Sequence, residues 1–233
     1  MPADPSMPRL LAGSLVAVML LSGCQTLGDA GQVIDRAELV NDLASRLDRS
    51  TELTYSADYQ LSGGQTASIV QAQKPVRAAY TYPGGKLTVT DEATVICVSE
   101  GELTCTITPP PSPSAKPAIT VFQNAGNQGL VTPTLVINML TTAALDADAI
   151  IEQTDTTIAG RHATCVKVGE VADTAAANFT ACVTTEGVLG SFRGVVEGKP
   201  VELAMSRLRD AVDPTAFEVP AEATVVDQRA GNP

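Results

Sequence analysis

The sequence predicts an α+β fold, a curved antiparallel sheet with helices packed on its concave face. Three observations carry this expectation: an amphipathic segment over residues 32–49, a succession of short β-patterned runs broken by glycine turns, and a second helical segment midway that a further strand series follows. Short strands with tight connections form an antiparallel meander, and a sheet with one apolar face needs helices to cover it.

Ahead of the first helix, Arg9 leads into a largely apolar run from Leu10 to Leu21. The run is too short for a membrane-spanning helix, which takes about 20 apolar residues, and so reads as a signal-peptide core. Asp4 is out of place before such a core, and Met7-Pro8-Arg9 makes the better start of translation. The closing Leu21-Ser22-Gly23-Cys24 resembles the lipobox of bacterial lipoprotein precursors. That resemblance implies a diacylglyceryl group on the Cys24 thiol, acylation of the palmitate type, and cleavage just before Cys24. Two acyl chains, at about 0.8 kcal/mol per buried methylene, hold a protein on a membrane where one is marginal. The expected organisation is a signal peptide at 1–23, a polar tether at 24–31, one domain at 32–228 and a disordered tail at 229–233. The expected location is the cell membrane, lipid-anchored on its extracytoplasmic face.

The first helix follows from Val33, Ala37, Val40, Leu43 or Ala44, and Leu47, which recur at helical spacing while Asp35, Arg36, Glu38, Asp42 and Arg46 face elsewhere. Strands are then expected at 54–61, 66–73, 76–82, 86–90, 94–99 and 103–108. Gly63-Gly64, Pro83-Gly84-Gly85 and Glu100-Gly101 punctuate them. Pro109 to Pro117 cannot pair inside a sheet, because proline lacks the amide donor; the segment is a loop or hinge. Residues 118–122 offer another strand. Pro133 to Asp148 forms the second helix, with Leu135, Met139, Leu140 and Leu145 apolar and Pro133 tolerated in the first turn. Strands follow at 155–158, 162–168, 178–184, 188–193, 195–197 and 201–206, with turns at Gly160-Arg161, Glu186-Gly187 and Glu197-Gly198-Lys199-Pro200, and Phe217 to Pro220 ending the sheet.

Past Cys24 there are four cysteines, an even number in an exported chain where disulfides persist. Three connectivities are possible. The local pairs Cys97 with Cys105 and Cys165 with Cys182 are favoured, because a hairpin centred on Gly101 places the first two opposite each other. A zinc site from all four fails on spacing, with no C-x2-C pair and a single histidine. The net charge of -11 survives cleavage, since Asp4 and Arg9 leave together, and it disfavours nucleic acid, whose phosphates need Lys and Arg.

No motif points to catalysis or to a cofactor. Leu61-Ser62-Gly63-Gly64-Gln65 matches the signature string of ABC-transporter ATPases, but the chain has no G-x-x-x-x-G-K-[ST] loop to cradle phosphate. The string is a hairpin turn. His162 has no nucleophile elbow to serve and belongs to a strand edge. Asp146, Asp148, Glu152 and Asp155 lack the Asp-x-Asp-x-Asp-Gly calcium pattern and solvate a helix end. Asn178-Phe179-Thr180 is formally a glycosylation sequon, without meaning in a bacterial lipoprotein.

Over the mature chain, the architecture resembles the LolA/LolB family of periplasmic lipoprotein carriers and the related LppX/LprG lipid carriers. The residues that carry the resemblance are the lipobox, the helix Asp35 to Arg49 running into Leu53-Thr54-Tyr55-Ser56-Ala57-Asp58, the Ile158-Ala159-Gly160 turn, and the closing stretch Phe217 to Asp227. The resemblance implies an incomplete β-barrel around an apolar cavity that shelters acyl chains. Its scarce aromatics, 3% with no Trp, depart from aromatic-rich carrier cavities. Alternating residues that would line such a cavity are Val76, Ala78, Tyr80 and Tyr82; Leu87 and Val89; Val166 and Val168; and Val201, Leu203 and Met205. The expected function is non-catalytic binding or transfer of a lipid or lipidated molecule. If the same residues form a filled core, the alternative is an envelope interaction or sensor protein that binds a membrane partner.

Overall fold

The computed structural model describes residues 24–110, 122–172 and 174–229. The signal peptide, residues 111–117 of the proline-rich loop, residues 118–121 of the strand expected beside it and residues 230–233 of the tail lie outside them. The chain divides into two compact units, Met1–Asp35 and Arg36–Pro233. Helix α1 spans Cys24–Arg49, beginning ahead of the Gln32 that periodicity suggested and ending where it was expected.

Among the described residues, twelve strands form one open, curved sheet. The first six are β1 (Tyr55–Leu61), β2 (Thr66–Gln73), β3 (Val76–Tyr82), β4 (Gly85–Thr90), β5 (Thr94–Glu100) and β6 (Glu102–Thr108). Two helices intervene, α2 (Gln123–Asn127) and α3 (Pro133–Leu145). The rest are β7 (Ile150–Ile158), β8 (Arg161–Gly169), β9 (Phe179–Thr184), β10 (Leu189–Val196), β11 (Lys199–Arg209) and β12 (Thr224–Asp227). The spatial order is β12-β6-β5-β4-β3-β2-β1-β11-β10-β9-β8-β7. Each half of the chain is thus a meander of neighbours, and β1 joins the halves by pairing antiparallel with β11.

Several expectations need correction. The sheet is mixed, because β12 runs parallel to β6, so the chain past Phe217 adds a strand where the sequence suggested the sheet ends. α2 was not foreseen, and Phe122 leads into it instead of closing a strand. β7 begins at Ile150, ahead of the expected Asp155, and α3 ends at Leu145, short of Asp148. The two pieces 188–193 and 195–197 are one strand, β10. Gly194 reads as a break but serves close packing, since a Cβ there would lie 2.8 Å from the Phe179 Cβ.

Both local disulfides are present, Cys97–Cys105 and Cys165–Cys182. In each the partners sit directly opposite on adjacent antiparallel strands, with Cα atoms 4.0 Å and 3.9 Å apart. So close an approach marks a non-hydrogen-bonded pair.

One face of the sheet meets the helices. Val40, Leu43 and Leu47 of α1 and Val136, Met139 and Leu140 of α3 are fully buried against Tyr59, Ile69, Leu87, Val183 and Leu203. The other face is partly covered by the chain between β11 and β12. Its short 3-10 turn Pro214–Phe217 sets Phe217 against Val70, Ala72 and Ala79, and Val219 and Ala223 then pack on the Cys97–Cys105 bridge.

Candidate functional site

The residues expected to line a cavity fall mainly into the helix-packed core. Tyr80, Tyr82, Leu87, Val166, Val168, Val201, Leu203 and Met205 are buried there, with Ala78 and Val89 partly buried against them. Val76 is a correction: at the start of β3 it is 61% exposed and lines nothing. It follows directly on the Lys74-Pro75 turn and pairs with Gln73 at the very end of the β2–β3 ladder.

The four tyrosines make this core unusual in its polarity. The Tyr59 hydroxyl donates to the Leu189 carbonyl at 2.9 Å, a fully enclosed bond. Burial raises the Tyr55 and Tyr59 phenols well above their ordinary value, and pushes Tyr80 up to about 12. Tyr80 also meets Phe122 edge-on, with ring centroids 5.1 Å apart.

At the margin of the core lies a cleft of about 360 Å³, between the segment joining α2 to α3 and the β10–β11 hairpin. Its floor is Phe122, Leu130, Val131 and Val201, all buried. Leu135 from the first turn of α3 and Val196 from the end of β10 form its walls, and Glu197 and Lys199 stand exposed at its mouth. Two features of local sequence open it. Gly129, at φ 88°, turns the chain after α2, and Pro133 starts α3 at once. On the opposite wall, Glu197 and Gly198 take φ 50° and 78° to reverse the hairpin.

Beside Asn127, Thr134, Glu197 and Lys199, Thr132 is the one polar residue of the lining that is fully buried. It is the residue before α3, only 1% exposed, and its carbonyl accepts from the amides of Leu135 and Val136 at 3.1 Å. Its hydroxyl, however, has no hydrogen-bond partner. An unmet buried hydroxyl costs about 1–3 kcal/mol, and a ligand that displaced the lining far enough to reach it would relieve that cost.

Of the residues expected to line a cavity, Val201 alone reaches this cleft, joined by Leu135 of the second helix and by Glu197, Lys199 and Pro200 of the expected turn. Thr132, Leu130 and Val131 were missed; the run Leu130-Val131-Thr132 directly before a helix-starting proline was the available signal. His162 is exposed at the start of β8. The acidic residues are dispersed over separate contacts. Asp146 accepts from the Ala172 amide, Glu152 pairs with Lys167, and Asp155 accepts from the Thr164 hydroxyl. Among the described residues no group of three or more His, Cys, Asp or Glu is placed to hold a metal.

The open curved sheet with helices on its concave face defines a LolA-like fold. Comparison with solved structures agrees. The crystal structure of MucB superposes with a TM-score of 0.50 at 14% identity over 78% of this chain and 62% of that one. The crystal structure of MucB in complex with MucA(peri) also gives 0.50, at 16% identity over 80% and 62%. An uncharacterised conserved protein from Thermus thermophilus is similar at a TM-score of 0.45 and 12% identity, over 85% of this chain and 99% of that one. The chain therefore spans less than two thirds of the MucB chain's length. No family profile matches the sequence, and no curated protein matches it.

Proposed function

We propose that this chain is a non-catalytic binding protein of the bacterial envelope, held on the extracytoplasmic face of the membrane through lipidated Cys24, and that its cleft receives the apolar chain of a lipid or lipidated molecule. The observation that carries the reading is the unpartnered Thr132 hydroxyl within an apolar lining. Apolar walls gain affinity in proportion to the area they bury, and a single enclosed polar group orients the ligand. The volume, about 360 Å³, is at the low end of ligand pockets, roughly 300–1,000 Å³, which suits one chain and not two. Glu197 and Lys199, both exposed at the mouth, favour a polar head left in water.

Native mass spectrometry of the full chain, purified in detergent from an envelope fraction, tests this. The expected result is an added mass near one equivalent, lost on denaturation and absent from Leu135→Trp, which fills the cleft. In Thr132→Val the added species binds about tenfold more weakly, while the free protein gains stability because the stranded hydroxyl is gone. A bare mass from native chain and variants alike overturns the reading. That outcome favours the second one, a protein-binding domain, which the complex of MucB with MucA(peri) supports.

A further inference from the structure

Strand β7 ends the sheet, and among the described residues no strand is hydrogen-bonded to it on the side away from β8, although its Ile158 end curls toward β10, where a Cβ on Gly190 would lie 3.0 Å from the Ile158 Cδ1. The turn Ala159-Gly160, with φ of 49° and 76°, joins the opposed residues Ile158 and Arg161. A two-residue turn of this kind makes the flanking residues a hydrogen-bonded pair, and the ladder alternates from there. The backbone groups of the even-numbered residues of β7 therefore point to β8, and those of Ile151, Gln153, Asp155 and Thr157 point outward. The disulfide fixes the same phase. Cys165, opposite Thr154, forms a non-hydrogen-bonded pair with Cys182, which turns its own amide and carbonyl toward Thr154.

Exposed edges are ordinarily blunted by proline, lysine, a bulge or very short length. β7 has nine residues, with no proline, no lysine and no register shift against β8. The other end of the sheet, β12, has four.

We propose that a second copy of this chain pairs antiparallel with β7, Thr154 facing Thr154 across a two-fold axis. In that register each outward residue meets another outward residue: Ile151 meets Thr157, and Gln153 meets Asp155, so every outward N–H finds a carbonyl. Side chains agree as well. Glu152 faces Thr156, so no two carboxylates are opposed, and Ile150, 47% exposed, faces Ile158. The Gln153 amide can donate to the Asp155 carboxylate of the other copy, and the symmetry makes this contact twice. Glu152 is already paired with Lys167 at 3.0 Å and stays so. The two sheets become continuous, with both helix-bearing faces on one side.

Two measurements on the full chain test this. In sedimentation of detergent-solubilised protein, the native chain dimerises reversibly. Gln153→Asp weakens the dimer about tenfold by opposing carboxylates twice, and Gln153→Lys tightens it by a similar factor. In oxidised membranes, cells that express Glu152→Cys and Thr156→Cys together give a cross-linked dimer, and cells with either variant alone do not. A native chain that stays monomeric at all concentrations, equal behaviour of the two Gln153 variants, or cross-linking that ignores the pairing overturns the proposal. These readouts do not depend on what occupies the cleft.

Discussion

Tyr55, Tyr59, Tyr80 and Tyr82 are all the tyrosine the chain has, and all four are buried in the main core. Because burial favours the neutral phenol, their folded pKa values lie above the unfolded value near 10. Their contribution to stability is complete below about pH 10 and is lost as pH rises above it, when the unfolded chain releases protons that the folded chain keeps. We expect the 295 nm phenolate absorbance to rise in one step together with loss of circular dichroism, and not ahead of it. A second residue sets how close two elements come. Gly187, at φ 95°, brings the β9–β10 turn against α1, where a Cβ would lie 2.5 Å from the Arg46 carbonyl oxygen. Gly187→Ala is expected to cost roughly 2–4 kcal/mol in urea unfolding, combining left-handed strain with a backbone clash. At this scale the sequence was informative where chemistry is local. The paired cysteines were legible because eight residues around a glycine hairpin leave few other geometries. Val76 was misplaced because alternation shows which side of a strand a residue faces, not where along the strand the core stops.

The 3-10 turn Ser50–Glu52 that follows α1 is tied to β2: Gln71 donates to the Ser50 carbonyl at 3.0 Å, which also accepts from the Leu53 amide, and Gln73 donates to the carbonyls of Thr51 and Leu53 at 2.7 and 2.9 Å. Across the other face, the chain between β11 and β12 crosses the first meander. The Arg77 guanidinium lies 4.2 Å over the Phe217 ring, and Lys86 donates to the Glu218 carbonyl at 2.6 Å. Phe217→Ala is expected to lower stability by about 3–5 kcal/mol if the site cannot collapse, and hydrogen exchange would show β12 opening first. Strand limits in the first meander were legible almost to the residue, since short glycine, proline or acidic turns separate the runs. β7 was not, because its Glu152, Gln153 and Thr154 carry no apolar alternation at an edge that buries almost nothing. The parallel docking of β12 on β6 has no local signature, as its partners are far apart in sequence.

For the whole molecule, a charge of -11 puts weight on how the carboxylates are held. Amide hydrogen bonds from Ala172 and Thr215 keep Asp146 and Asp213 below the usual range, and the Arg229 side chain holds Asp227 at about 2. Their contribution is present above the unfolded carboxylate value near 4 and is lost as pH falls toward 2. Melting temperatures measured from pH 5 to 2.5 should therefore decline, and Asp213→Asn should flatten the decline. The curved sheet with helices on one face was legible from periodicity alone. The cleft was not, because it is made where the segment around Leu130, the start of α3 and the β10–β11 hairpin converge, and convergence leaves no mark in any one of them. The pairing of β1 with β11 has a kinetic consequence. Arg209 reaches Ser56 across 153 residues of chain, while nearly every other strand contact is with a sequence neighbour. Each meander can form early by local zipping, but the seam must wait for a long loop to close, so refolding should be limited by docking of two preformed halves. Separately expressed fragments ending and beginning within residues 111–121 should then complement each other, and do so at a rate that rises with concentration.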